Sequence, residues 1–394
     1  MEPSKHRRSR IAFFSTMSGF PWGGSEELWS KAAHWLAGAG VEVSASVKGW
    51  PELRPQVEAL RAAGVRVWER RWNPPALPLR ILQRLHLLPQ PGPQAEVAKW
   101  LDEVRPELVC ISDGAVVSDI GCAALCQDRG IPFVQLSQAN AELFWPSEAL
   151  AAECRRVLIH ARRFFFVSEA NRRLFEDQVG MRFENAEVVR NPFKVSYQAS
   201  VLPRPWDEGG EIRLACVARL EPVAKGQDIL IRVLSREKWR RRPLGIRFYG
   251  EGPYREGLER MARMHGVKDR VEFVGQVSDI EGVWRENDGL ILASRLEGLP
   301  LALVEAALCG RMGIGTAVGG IGELIVEGET GFLAEAATDD LLDAAMERAW
   351  ARRAEWGKMG MRARERAVGM YPECPEAVFG GRLLELAKEI RSGS

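Results

Sequence analysis

Ser294-Arg295-Leu296-Glu297-Gly298-Leu299-Pro300-Leu301-Ala302-Leu303-Val304-Glu305 follows a short apolar run, Gly289 to Ala293, and leads into a segment that is apolar on every side. Strand, tight loop and helix in that order make the βα unit of a parallel sheet. Pro300 is expected as the first helical residue, where its missing N–H costs nothing. Gly310 is expected to close the far end in a left-handed conformation. Leu301, Leu303, Val304, Ala306, Ala307 and Leu308 lie between them, so the helix is expected to be buried all round. Glu305 is the one charge inside it. A carboxylate there is costly unless something hydrogen-bonds it, as a pair of ligand hydroxyls can. Glu297 stands eight positions earlier, in the loop, so both carboxylates can face one pocket at the carboxyl end of the strand, where open α/β sheets bind ligands. The plainer alternative gives Glu297 to the helix dipole and Glu305 to a salt bridge.

The same alternation runs outward in both directions. In the first half the strand candidates are Ile11–Ser15, Val41–Val47, Val65–Trp68, Leu108–Ser112, Pro132–Ser137, Phe164–Val167 and Glu187–Val189. The first helix between them carries Leu28, Ala32, Trp35 and Leu36 on one face. Periodicity stops after Asn191-Pro192, and residues 196–211, with Pro203-Arg204-Pro205 and Gly209-Gly210, read as an interdomain linker. A second series follows at Ile212–Val217, Gly245–Tyr249, Val271–Val274, Gly289–Ala293, Met312–Thr316 and Phe332–Ala334. A final helix is expected over Pro375–Ile390, with Val378, Leu383, Leu384, Leu386 and Ala387. The organisation is α/β: a Rossmann-like domain over residues 1–195, a linker over 196–211, a second Rossmann-like domain over 212–365 and a C-terminal helical segment over 366–394. The two domains are expected to face each other across a cleft, with the last helix free to cross back.

Bulk properties agree with this. A chain of 394 residues is too long for one ordinary core. It is 46% hydrophobic and 27% charged with a formal net charge of +1, which gives no support to a nucleic-acid binder. The apolar run Ile11–Phe14 is too short for a signal-peptide core, and no uncharged run approaches the roughly 18 residues a spanning helix needs. Seven scattered cysteines read as small buried hydrophobes of a reducing cytosol. Cys122 and Cys126 could share a helix face, but no second Cys or His pair completes a zinc set, and the five histidines form no ligand pattern. The expectation is a cytoplasmic protein without a metal site.

Three loops carry candidate chemistry. Gly23-Gly24-Ser25 precedes the first helix, with Gly24 allowing close approach of a ligand to the helix start and Ser25 as the expected N-cap. The loop is not GxGxxG and the second strand ends in Lys48 rather than an acidic ribose ligand, so a dinucleotide dehydrogenase is disfavoured. After Ile212–Val217 comes Ala218-Arg219-Leu220-Glu221-Pro222-Val223-Ala224-Lys225-Gly226-Gln227-Asp228. Arg219 and Lys225 leave the strand end and the helix start in one loop, where a guanidinium fork and an ammonium can bind a diphosphate. No GxxxxGK[ST] occurs, and the plainer reading makes both surface cations. Gly250–Tyr254, Gly275 and Gly319-Gly320-Ile321-Gly322-Glu323-Leu324 place further glycines at successive strand ends.

These stretches, in this order over about 120 residues, resemble the retaining GT-B glycosyltransferases of family 4 with the E-x7-E signature. The matching segments are Ala218–Gln227, Gly250–Pro253, Phe273–Gly275, Ser294–Glu305, Gly319–Glu323 and Gly328–Leu333. The first half is similar more loosely, at Gly23–Glu26, Val167–Glu169 and Arg190–Pro192. The resemblance implies that Arg219 and Lys225 hold the donor diphosphate and that Glu305 contacts the ribose hydroxyls. Glu297 is then expected beside the donor sugar and leaving phosphate, with the backbone of Gly298, Leu299 and Leu301 meeting the distal phosphate. One departure stands out. Many relatives carry a His after a middle strand of the first domain, whereas Pro132–Ser137 here runs into Gln138-Ala139-Asn140.

The resulting expectation is a metal-independent, retaining hexosyltransferase with Glu297, Arg219 and Lys225 as its catalytic groups. The co-substrate expected is a nucleoside-diphosphate sugar, a UDP-sugar first, with no other cofactor. The acceptor, whether a glycan, a lipid-linked sugar or a small molecule, stays open. A sugar-nucleotide epimerase or hydrolase is the first rival and needs acid/base groups on the first domain, with Asp113 and Glu142 as candidates. A non-catalytic nucleotide-sugar-binding subunit is the second. Residues 68–88 combine Trp68 and Trp72 with Arg70, Arg71, Arg80 and Arg84 and with Ile81, Leu82, Leu85, Leu87 and Leu88. They suit a peripheral contact with an anionic membrane, or else an ordinary packed helix and loop.

Overall fold

Apolar runs of five or six residues, separated by amphipathic helices, hydrogen-bond side by side and in parallel. This arrangement is seen in a computed structural model that describes residues 8–19, 21–52, 54–70, 94–114, 117, 120–199 and 210–392. In chain order, β1 (Arg10–Ser15), β2 (Glu42–Lys48), β3 (Arg66–Arg70), β4 (Leu108–Asp113), β5 (Phe133–Ser137), β6 (Phe164–Phe166) and β7 (Ala186–Val188) form one sheet in the order β3-β2-β1-β4-β5-β6-β7. The second sheet is built from β8 (Ile212–Val217), β9 (Leu244–Tyr249), β10 (Val271–Gly275), β11 (Gly289–Leu292), β12 (Met312–Thr316) and β13 (Gly331–Ala334), in the order β10-β9-β8-β11-β12-β13. Every expected strand is present to within two residues. Register is set centrally: Ile11 lies opposite both Val43 and Leu108, and Leu290 lies opposite Ala215 and Gly313.

Helices cover both faces of each sheet, which is why the central strands are apolar throughout. β4 is buried along its whole length. Leu28, Trp29, Ala32 and Leu36 of the helix Gly24–Gly38 pack one face of the first sheet, and Trp100, Leu101, Val157 and Leu158 pack the other. Each such Leu or Trp removed from water stabilises the fold by about 1.5–3 kcal/mol.

Helix Trp356–Met370 runs without a break past residue 365 and buries Met359, Ala363 and Ala367 in the second domain. The chain then crosses between Tyr371 and Pro375, and helix Pro375–Ser392 packs Phe379, Leu383, Leu386 and Ala387 into the core of the first domain. The Phe379 and Phe165 rings meet edge-on, with centroids 5.2 Å apart. Gly380 lies flat under Trp35, where a Cβ would sit 2.7 Å from a ring carbon. The architecture is the two-domain GT-B arrangement, with the terminal helix returned to the first domain.

Two local expectations are corrected. Pro300 is the N-cap of helix Leu301–Leu308 rather than its first residue: its ψ of 124° is extended, and its carbonyl accepts from Leu303 N–H at 3.0 Å. Ser25 lies inside helix Gly24–Gly38, whose N-cap is Gly23 and which no side chain caps. Gly310 does take the left-handed conformation, with φ +70°. Six cysteines are buried and Cys374 is exposed. Of the stretch 68–88, residues 71–88 lie outside the described residues, as do residues 200–209 of the linker. Trp68 and Arg70 turn inward: Trp68 stacks on Trp100 at 5.8 Å, and Arg70 donates to Ser46 Oγ at 2.6 Å.

Candidate active site

The order of the second sheet reverses direction between β8 and β11, which are hydrogen-bonded neighbours. A crevice opens there at the strand ends. The loop after β8 carries Arg219 and Lys225, and the loop after β11 carries Ser294–Pro300, so sheet topology brings residues 72 positions apart onto one wall. Gly226 makes the approach feasible. It has φ +65°, and a Cβ on it would lie 1.9 Å from the Ala293 carbonyl oxygen, so only glycine lets the two loops touch.

A cavity of ≈ 540 Å³ lies between the two domains. Arg219, Lys225, Glu297, Gly298, Leu299, Leu301 and Glu305 all line it, and from the first domain Gly24 does too. The expected site residues are therefore brought together without exception. Gly24 and Leu301 face each other across the interface, a Cβ on Gly24 lying 3.8 Å from a Leu301 methyl.

Its electrostatics are organised as paired charges. Lys225 Nζ lies 2.7 Å from Glu297 Oε1, which also accepts from Ser294 Oγ at 2.7 Å. Arg219 is ion-paired with Glu221 and its carbonyl accepts from Gln227 Nε2 at 2.8 Å. Glu305 is 4% exposed, and its Oε1 accepts from the Lys194 N–H at 3.0 Å. Burial pushes its carboxyl above the ordinary range. The plainer reading gives the salt bridge to Glu305, which a backbone N–H holds instead, and it is Glu297 that is ion-paired.

Sequence reasoning missed part of the lining. Gln276 and Val277 follow β10, and Lys194 and Asn191 sit where the chain leaves the first domain. Asn191 was within reach, since Arg190–Pro192 is one of the resembling stretches. Lys194 and Gln276 carry no local signal. Gln138, in the stretch that follows β5, lines the cavity, and its Oε1 accepts from Asn191 Nδ2 at 2.8 Å. Asp113 and Glu142 do not line it: Asp113 is buried and accepts from Thr16 Oγ1 at 2.9 Å, and Glu142 is exposed. No group of three or more metal-ligating side chains occurs among the described residues. No helix among them is long and apolar enough to cross a membrane.

Residues 211–351 match the family described as glycosyl transferases group 1, and residues 23–192 match the glycosyl transferase 4-like domain. The chain is 26% identical over 275 residues to a GDP-mannose-dependent alpha-(1-6)-phosphatidylinositol monomannoside mannosyltransferase of Mycolicibacterium smegmatis, covering 66% of this chain and 71% of that one. It is 27% identical over 241 residues to a glycogen synthase of Mycobacterium tuberculosis, covering 58% of this chain and 56% of the relative. Among solved structures, HepE of Anabaena in complex with UDP superposes with a TM-score of 0.72 at 18% identity, over 95% of this chain and 99% of that one.

Proposed function

Starting from a chain that is a GT-B hexosyltransferase by its two matched halves and its fold, we propose a retaining transfer from a nucleoside-diphosphate sugar, a UDP-sugar first, to an acceptor hydroxyl, without a bound divalent ion. The observation that carries this is the single cavity lined by both glutamates, both cations and the Gly298–Leu301 backbone. UDP as the nucleotide is supported by HepE, solved with UDP and with UDP-glucose; the GDP-mannose-dependent relative is the competing indication.

The chemistry follows from charge. Breaking the anomeric C–O bond leaves negative charge on the diphosphate and oxocarbenium character on the sugar. Arg219, Lys225 and the start of helix Leu301–Leu308 lie where the first charge develops, and fixed dipoles and cations act most strongly there. Glu297 faces the second. Attack from the same face by the acceptor oxygen forms the new C–O bond, and its proton passes to the departing phosphate oxygen, so the configuration is retained without an enzymic nucleophile. Glu305 holds the ribose hydroxyls.

Incubation with a panel of UDP-, GDP- and ADP-sugars, reading free nucleoside diphosphate and the anomeric configuration of the product, tests the proposal. Release that needs added Mn²⁺ and stops in EDTA would overturn metal independence. Hydrolysis or epimerisation with no dependence on acceptor would favour the first rival, which the placement of Asp113 and Glu142 outside the cavity does not support. A peripheral membrane contact through residues 71–88, without the inward-turned Trp68 and Arg70, is tested by co-sedimentation with anionic vesicles and its loss in the Arg80→Glu, Arg84→Glu pair.

A further inference from the structure

Glu297 belongs to the second domain, yet its main chain is held by the first. The first-domain helix Glu169–Val179 starts at the cleft, and Asn171, 1% exposed, donates from Nδ2 to the Glu297 carbonyl oxygen at 3.2 Å. A carbonyl only accepts, so this contact also settles which way the amide points. Asn140 makes an isolated antiparallel bridge with Glu297. Gly298 comes so close to the Gln138 carbonyl that a Cβ would lie 2.0 Å from its oxygen.

A second contact returns from the other side. Glu323 of the second domain reaches the amino end of the same helix, its Oε1 accepting from the Glu169 N–H at 2.7 Å and the Ala170 N–H at 3.3 Å. Its Oε2 accepts from Arg190 Nη1 at 3.0 Å. A carboxylate at a helix N-terminus is bonded by unpaired N–H groups and favoured by the dipole. Glu323 follows Gly320, whose N–H donates to the Gly298 carbonyl at 2.6 Å. The contacts form a closed circuit: Glu297 to Asn171, along the helix start to Glu323, back through Gly320 to Gly298.

We propose that Asn171 and Glu323 are positioning residues that make the placement of Glu297 conditional on closure of the two domains. This rests on the reading of Glu297 as acting beside the transferred sugar. Arg219, Lys225 and the helix Leu301–Leu308 all belong to the second domain, so a nucleoside diphosphate can engage them whether or not the domains are closed. When the domains part, Asn171 leaves the Glu297 carbonyl, Glu323 leaves the helix, and the turn at Glu297–Gly298 keeps only its second-domain contacts to Gly320, Lys225 and Ser294. Donor binding and competence for transfer are thereby separate properties of this fold.

The test compares wild type with Asn171→Ala, Asn171→Asp, Glu323→Ala, Glu323→Gln and the double variant Asn171→Ala, Glu323→Ala. The expected result is a fall in kcat of roughly tenfold or more for Asn171→Ala, Asn171→Asp and Glu323→Ala, the scale of a small misplacement near the chemistry. The dissociation constant of the bare nucleoside diphosphate stays within about twofold, because its ligands are untouched. Glu323→Gln, which keeps an oxygen for the helix N–H groups, retains most of kcat. The double variant loses little more than either single one, as residues acting through one helix are non-additive. Small-angle scattering with bare UDP or GDP shows wild type more compact than Glu323→Ala. Unchanged kcat, affinity falling in step with kcat, or independent additive losses would each overturn the proposal. If wild type transfers no sugar from any nucleotide, the functional reading has failed, and equal compaction of wild type and Glu323→Ala then overturns the coupling on its own.

Discussion

Lys225 Nζ and Glu297 Oε1 lie 2.7 Å apart across the loop pair that the sheet's switch point brings together. The ammonium assigned to the leaving diphosphate is thus already bonded to the carboxylate assigned to the sugar. Lys225→Ala is expected to lower kcat/KM by roughly 10²–10³-fold, the scale of losing one contact to developing charge. Glu297→Gln is expected to leave affinity for the bare nucleotide nearly intact while turnover falls. Calorimetry and steady-state rates on the two variants check this, and the opposite split would exchange their roles.

In the proposed reading, Glu221 is a competitor of the donor diphosphate for Arg219. The two are ion-paired in the ligand-free protein, and each side chain is about one-third exposed, at 35% and 31%. Arg219→Ala is expected to cost roughly 10²–10³-fold in kcat/KM. Glu221→Gln is expected to act in the other direction, lowering KM for the donor severalfold by removing this ion pair. Melting temperatures should barely move in either variant, since a pair this open contributes at most about 1 kcal/mol. A higher KM in Glu221→Gln would mean that Glu221 orients Arg219 rather than occupying it.

With Glu305 on the ribose, as proposed, nucleotide affinity is expected to depend on pH. Burial holds the Glu305 carboxyl above the usual range, while ribose hydroxyls donating to the ionised form favour that form. Binding of a bare nucleoside diphosphate is therefore expected to release a proton where Glu305 is still protonated in the free protein, and its affinity to rise with pH until Glu305 is fully ionised. Isothermal titration in buffers of different ionisation enthalpy reads the proton directly. Glu305→Gln should bind more weakly and lose the slope; retention of the slope would assign it to another group.

Much of this was legible in the sequence because it is periodic or glycine-marked. Ile212–Val217 and Met312–Thr316 are apolar runs between turn residues, and their strands begin and end as read. Arg219, Lys225 and Glu297 were found because they stand in loops next to such runs, and Glu305 because it is the one charge in the apolar helix that follows one; a parallel sheet gathers its strand ends on one edge. Helix starts were less legible. Gly23 rather than Ser25 caps the first helix, since a serine that follows two glycines carries no sign of which residue first turns helical. What sequence did not show is contact across the domains. Asn171 and Glu297 are 126 positions apart, and no local pattern records that a particular amide meets a particular carbonyl once two domains close.

Glu26 offers a test of folding rather than catalysis. It stands in the first turn of helix Gly24–Gly38, 2% exposed, with Ser15 Oγ donating to its Oε2 at 2.8 Å while Oε1 has no partner. Burial raises its carboxyl from 4.5 to about 7, against the opposing pull of Ser15, Trp29, Arg70 and Arg54. The raised value means that the fold favours the protonated form. The stability it contributes is complete below about pH 4.5 and is lost as pH rises through about 7, by an amount on the order of 3 kcal/mol. Wild type should therefore lose stability relative to Glu26→Gln between those two pH values and run parallel to it above pH ~8. Thermal or denaturant unfolding of both proteins from pH 4.5 to 8.5 measures the difference. Curves parallel over the whole range would show that Glu26 stays ionised in the folded chain, held by Arg70 and Arg54 more strongly than burial opposes it.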